Sequence, residues 1–345
     1  NRVTGEAVVG EARVPFWCAI PQERYRRNDK PFPVSFYGHG YTSSRFEMLG
    51  FAGFHARMGV ATCAVESFGH GLTIPPMFTN LISTIAGDMY GAGMMAAIAD
   101  GRARDLTNDG SENSGGDFWT ADTFHTRDAV RQSVVDWMSL GRILRSFDGT
   151  RTWNVPVGIA PECEGQTNCN DPRAKHSGIA GDFDGDGKVD IGGPDSEYFA
   201  WGQSLGGILA GVYAGVEPSL TAAAPTAGSG GLFDVGVRST QGGVKQGVHL
   251  RFMGLITVGI PGSSGDAEVT RLKFIASNVN DDVDVPFAEL PPLVLGDTVR
   301  MTNLTSGTVV ETLARSFGGG VGFRLHMPAS AMRGPQKRRL ADLFV

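Results

Sequence analysis

Ser204 lies at the centre of Gly202-Gln-Ser-Leu-Gly206. A short aromatic-apolar run, Tyr198-Phe-Ala-Trp201, leads into it, and the helix-compatible Ile208-Leu-Ala-Gly-Val-Tyr-Ala214 follows. A strand that turns at once into a helix leaves no room for side chains at the corner. Small residues therefore flank the central one, which is pushed into a strained, exposed conformation with its hydroxyl clear of the backbone. Amides at the helix start face any negative charge that develops beside that hydroxyl. The chemistry this allows is nucleophilic attack by Ser204, the arrangement of a nucleophile elbow. The competing explanation is a chance pattern, because 49 of the 345 residues are glycine.

A second group of candidates is Asp182-Phe-Asp184-Gly-Asp186-Gly-Lys188-Val-Asp190. Carboxylates at loop positions 1, 3, 5 and 9, with Gly at 6, wrap oxygen ligands around one hard cation, and the Lys188 carbonyl adds a ligand at position 7. Position 12 is Gly193, so the bidentate Glu of an EF-hand is missing. The pattern resembles the nine-residue calcium loops of β-propeller repeats. Four acids so close repel one another without a cation. The expectation is a structural Ca2+ beside the strand that carries Ser204, without a direct part in chemistry, and no organic cofactor.

Two further segments fit around the serine. Val34-Ser-Phe-Tyr-Gly-His-Gly-Tyr41 puts a His-Gly pair at the carboxyl end of a strand, where Gly40 lets the Tyr41 amide turn inward. With the Leu205 amide, it makes a two-donor oxyanion hole. Val60–Val65 is the next strand and ends in Glu66-Ser-Phe-Gly-His-Gly71.

The elements that must position these residues alternate. Glu11–Ile20 and Pro33–Tyr37 read as strands and Phe46–Arg57 as a helix. Thr126–Phe147 is the strongest helix, capped by Thr126, with Val130, Val134, Trp137 and Leu144 on one buried face. Leu220–Ala224 is a short strand after the Ser204 helix. This alternation argues for an α/β fold with a mostly parallel sheet flanked by helices. Residues 75–116 and 162–194 read as insertions. Apolar, Gly-rich Ile85–Ile98 is a candidate lid or acyl-binding wall. From residue 286 the pattern alternates apolar and polar, which reads as a β-sandwich-like module cut short by the chain end. Asn303-Leu-Thr305 is a formal glycosylation acceptor, better explained as a hairpin end.

With its three motifs in order over residues 11–225, the sequence resembles the α/β-hydrolase superfamily, and within it large secreted bacterial lipases and esterases of the virulence-factor lipase type. The resemblance implies a 1–285 hydrolase domain with an eight-stranded sheet. It also implies a Ser–acid–His triad in that chain order and ester hydrolysis through an acyl-enzyme on Ser204. Other serine hydrolases (a peptidase or polyester depolymerase) and a non-catalytic, calcium-stabilised surface protein are the alternatives. Glu66 stands where Asp is usual. Of the seven histidines, only His249 and His326 follow Ser204. Neither sits in the loop context the family uses, so base and acid are expected downstream of Val345.

Charge bounds the partners. Thirty Lys+Arg against 36 Asp+Glu give a net charge of −6, which offers no electrostatic case for nucleic acid or an anionic membrane. No apolar run is long enough to span a bilayer. Of four cysteines, Cys163 and Cys169 flank a short polar loop and are expected to pair. Cys18 and Cys63 lie in apolar runs and read as buried free thiols. Calcium and a disulfide together point to a secreted, periplasmic or cell-surface location and to a small-molecule or lipid ester as substrate.

Overall fold

The computed structural model describes residues 10–22, 29–73, 98, 100–104, 112–116, 118–119, 123–154, 177–240, 244–245, 248, 254–275, 284–304, 306–317 and 319–328. In chain order the first half runs β1 (Phe16–Ala19), β2 (Val34–Gly38), α1 (Leu49–Arg57, entered through a 3-10 turn at Arg45–Met48) and β3 (Ala61–Val65). It continues with α2 (Thr123–Arg145), β4 (Thr152–Asn154), β5 (Ser177–Ile179), β6 (Tyr198–Gln203), α3 (Leu205–Val216), β7 (Ala222–Thr226) and α4 (Leu232–Arg238).

Every residue of β2 and β3 is buried. Runs buried at every position, with Ser35 and Thr62 as their polar members, suit strands covered on both faces, the usual setting of parallel pairing. They belong to a five-stranded sheet of order β1-β3-β2-β6-β7. β2 pairs in parallel with β3 and β6, β6 pairs in parallel with β7, and β1 closes one edge antiparallel to β3. Helices α2 and α3 are fixed to β2 by aromatic packing. Phe36 lies 6.2 Å from Trp137 and 5.6 Å from Tyr213, and Trp137 lies 5.4 Å from Tyr213, centroid to centroid. Val130, Val134, Trp137 and Leu144 are buried on α2, as their spacing predicts. Thr126 is not the cap. The helix begins at Thr123, and the Thr126 hydroxyl donates instead to the Phe118 carbonyl at 2.7 Å.

The second half contains β8 (Leu255–Ser264), β9 (Ala267–Ile275), β10 (Asp284–Leu290), β11 (Thr298–Thr302), β12 (Val309–Leu313), β13 (Arg315–Phe317) and β14 (Gly320–Met327). Five of them make an antiparallel sheet of order β10-β9-β8-β14-β13, and β11 and β12 form a separate ribbon. Residue 285 falls inside β10, and β8 and β9 of the same sheet precede it. Asn303 sits in the β11–β12 turn, where its Oδ1 accepts from the Ser306 amide. The fold is therefore mixed α/β. Parallel pairing between strands occurs in the first sheet, with one further parallel bridge between Phe32 and Ile191, and most strand pairings in the described residues are antiparallel. The expected eight-stranded, mostly parallel sheet is not what the described residues show, because the C-terminal third forms its own antiparallel sheet.

One pairing corrects the cysteine reading. β1 and β3 run antiparallel with Cys18 opposite Cys63, and the two form a disulfide. Their apolar surroundings hid a cross-strand pairing that only the register reveals. Cys163 and Cys169 lie outside the described residues, as do residues 85–97 of the candidate lid.

Candidate active site

The parallel strands β2, β6 and β7 end on one edge of the sheet, where α/β proteins gather their ligand sites. Ser204 directly follows β6. It has φ 56° and ψ −114° and precedes the first residue of α3. Its amide donates to the Thr226 carbonyl at 3.0 Å, which ties the corner to the end of β7. The corner is as tight as its glycines imply. A Cβ at Gly202 would stand 2.5 Å from the Gly206 backbone, and one at Gly206 would overlap the Gly38 carbonyl.

Among the described residues three non-glycines have positive φ: Thr42 (66°), Ser204 (56°) and Ala227 (49°). All three line the same cavity of about 590 Å³. They follow β2, β6 and β7 respectively. Each such conformation costs about 1–3 kcal/mol and persists only where the surroundings enforce it. Thr42 is the third residue of a turn closed by Ser43 N–H donating to the Gly40 carbonyl at 3.1 Å, the position where a type II turn demands positive φ. Ala227 was not legible in the sequence, since nothing in an alanine announces a left-handed backbone.

The cavity wall is divided. Phe118, Trp119, Leu205, Ile208, Leu232 and Val235 supply apolar surface, and Asp234, Arg238, Ser239 and Thr240 supply a polar strip. Asp234 and Arg238 pair across one turn of α4 at 3.5 Å. Tyr41 stands on this wall, and its hydroxyl donates to the Gly115 carbonyl at 2.7 Å. Leu205, at the start of α3, is buried on it. Ser204, Tyr41 and Leu205, which the sequence singles out, are thus brought together. No histidine lines the cavity among the described residues. His326 sits in β14, paired with Ile256, and His249 lies outside the described residues.

Behind the wall lies a buried charge cluster whose partnership the sequence did not reveal. Glu66 is fully buried, with Oε2 2.6 Å from Arg45 Nη1 and Oε1 3.1 Å from His39 Nε2. Burial works to raise the Glu66 carboxyl. His39 and then Arg45 outweigh it and hold the group below the usual carboxylate range. His70 meets Tyr41 and Phe118 edge to face, with centroids 5.7 Å apart in each case. Its Nδ1–H donates to the Phe68 carbonyl at 3.0 Å, and its buried Nε2 has no hydrogen-bond partner among the described residues. Burial first, then the neighbouring His39, pushes the His70 ring down to about 4.

The acidic loop lies just ahead of β6. Asp182, Asp184 and Asp190 each bring a carboxylate oxygen within 4.8 Å of the others, a donor set suited to a hard cation. Asp186 is not in that group, and its Oδ1 accepts from the Lys188 amide at 2.9 Å. A feature the sequence did not reveal is Lys30. Its ammonium lies 2.6 Å from Asp184, 3.0 Å from Asp186 and 2.5 Å from Asp190. Burial would lower the Lys30 pKa, but the three carboxylates raise it well above the usual lysine value. The loop's charge is thus offset by a cation from the chain itself.

No family model and no curated protein matches the chain. It is similar to the crystal structure of a highly thermostable carboxyl esterase from Bacillus coagulans in complex with glycerol, at 14% identity and a TM-score of 0.27. The match covers 61% of this chain and spans 38% of the length of that one. At that TM-score the likeness does not define a fold, and the functional reading rests on the geometry of the cavity.

Proposed function

We propose that the protein is a serine carboxylic-ester hydrolase on an α/β-hydrolase-type core, with Ser204 as nucleophile. The observation that supports this most is the strained Ser204 between β6 and α3, in a cavity that also gathers the other two left-handed non-glycines. Ser204 Oγ gives its proton to a base, bonds to the ester carbonyl carbon and forms a tetrahedral oxyanion. The amides of Tyr41 and Leu205 stabilise that oxyanion. Collapse expels the alcohol with a proton, and water then releases the acid from the acyl-enzyme. The apolar side of the wall receives the acyl group. The Cys18–Cys63 disulfide supports a location outside the cytoplasm. Among the described residues no helix is long and apolar enough to cross a membrane.

The acidic loop is a structural cation site in this reading. Calcium would be held by Asp182, Asp184 and Asp190, with Asp186 and the Lys188 carbonyl completing the set once Lys30 withdraws.

The test is labelling with a fluorophosphonate, followed by mass spectrometry of the modified peptide, beside hydrolysis of p-nitrophenyl esters. Adduct on Ser204, lost in Ser204→Ala, is the expected result. Labelling that survives Ser204→Ala overturns the assignment. A full-length protein with neither adduct nor turnover favours the non-catalytic surface protein.

A further inference from the structure

We infer that His39, seated on Glu66, is a positioning residue that aims the Tyr41 amide at the oxyanion; this rests on Ser204 being the nucleophile. A peptide unit is planar and trans, so its C=O and N–H point in opposite directions. The Gly40 carbonyl and the Tyr41 amide belong to one such unit. His39 Nδ1 lies 2.9 Å from the Gly40 oxygen. A carbonyl only accepts, so Nδ1 carries the hydrogen. His39 is fully buried, whereas Tyr41 stands on the cavity wall with Ser204. A grip on the Gly40 oxygen from the buried side turns the Tyr41 N–H the other way, toward the cavity.

The grip is independent of the charge on the ring. His39 Nε2 lies 3.1 Å from the Ser67 amide and 3.1 Å from Glu66 Oε1. A neutral ring accepts from Ser67, and a charged ring donates to Glu66. Nδ1–H faces Gly40 in both states. Glu66 is in turn neutralised by Arg45 at 2.6 Å, so the support is fixed on every side. The preceding peptide is held as well, because Gly40 N–H donates to Glu47 Oε2 at 2.8 Å. Rotation of the Gly40–Tyr41 peptide, which would swing the donor away from the cavity, breaks the His39 bond and also the Ser43 turn bond.

The experiment is saturation kinetics of fluorophosphonate labelling on the full chain, which separates the maximal rate kinact from the binding constant KI. Loss of one oxyanion donor lowers the chemical step roughly 100-fold. His39→Leu is expected to lower kinact by about that factor with KI unchanged within roughly twofold. His39→Asn keeps a donor at the Nδ1 position and is expected to recover most of the rate. Equal kinact in wild type and His39→Leu, an effect confined to KI, or no difference between the Leu and Asn variants overturns the inference. Should His39→Leu not fold, Glu47→Ala removes the second anchor from a less buried site. A kinact roughly tenfold lower at an unchanged melting temperature is then expected, on the scale of part of one donor's contribution, and an unchanged kinact overturns the inference. A wild-type chain without adduct on Ser204 removes the nucleophile, and the inference falls with it. A labelled wild type with an unaffected His39→Leu sinks this inference alone.

Discussion

Gly38 and Gly206 meet backbone to backbone: the carbonyl at the end of β2 lies where a Cβ on the second residue of α3 would be. Both partners are main chain, so neither can yield as a flexible side chain would. Gly206→Ala is expected to cost more than about 3 kcal/mol, at the upper end of overpacking penalties. Urea denaturation of the purified variant, or its failure to appear in the soluble fraction, checks this. A loss under about 1 kcal/mol would mean that β2 and α3 can part without harm.

Strain at Ser204 predicts a conflict between stability and chemistry. Glycine adopts φ 56° freely, so Ser204→Gly is expected to gain about 1 kcal/mol while abolishing fluorophosphonate labelling. Ser204→Ala keeps the strain and is expected to lose labelling with little change in stability. Equal denaturation midpoints for the Gly and Ala variants would count against a strained backbone.

The strand–turn–helix corner at Ser204 was readable in the sequence because its signal is local: small residues at fixed offsets between a strand and a helix. The buried face of α2 was readable for the same reason, since helical spacing is a short-range property. The sheet order was not, because β2 pairs with β6 across the whole middle of the chain. Lys30 stands 154 residues from Asp184, and no pattern at that separation marks a lysine as the partner of an acidic loop. The cysteines misled in the same way. Cys18 and Cys63 read as free thiols from their apolar runs, while they bridge positions 45 apart that strand register sets face to face.

Reduction of Cys18–Cys63 frees a 45-residue separation in the unfolded chain. Loop entropy puts the loss at up to about 4 kcal/mol. Denaturation with and without a phosphine reductant, with Cys18→Ala/Cys63→Ala as control, measures it. A double variant as stable as the oxidised wild type would remove the bridge from the account.

Acid should weaken the fold through His70. Its native pKa of about 4 lies below that of an unfolded histidine near 6.5. Between those values the unfolded chain binds a proton that the native chain refuses. Stability present at neutral pH is therefore lost as pH falls from about 6.5 to about 4, by roughly 3 kcal/mol. Glu66, held below its ordinary range, adds a loss of the same sign at lower pH. Urea midpoints from about pH 7 to about pH 4.5 should fall less steeply in His70→Phe than in wild type; parallel profiles would exclude His70 as the source.

Lys30 and calcium should compete for one set of oxygens. Lys30→Met is expected to bind Ca2+ roughly tenfold more tightly than wild type, about 1.4 kcal/mol, and to lose thermal stability in chelator. Titration calorimetry and melting curves with calcium or EDTA check both. Equal affinities in the two proteins would show that the ammonium does not obstruct the ion.

The bridge between β1 and β3 bears on how the protein can be made. β3 is buried along its whole length, and β1 is what covers its outer edge. In a reducing host the covering strand is held by ladder bonds and by side-chain packing such as Trp17 against Phe46, without the covalent tie. When it frays, it bares the hydrogen-bonding groups of an apolar strand, a template for strands of other molecules. Recovery from a cytoplasm should thus be limited by edge-to-edge association, and export through an oxidising compartment should relieve it without any change of sequence.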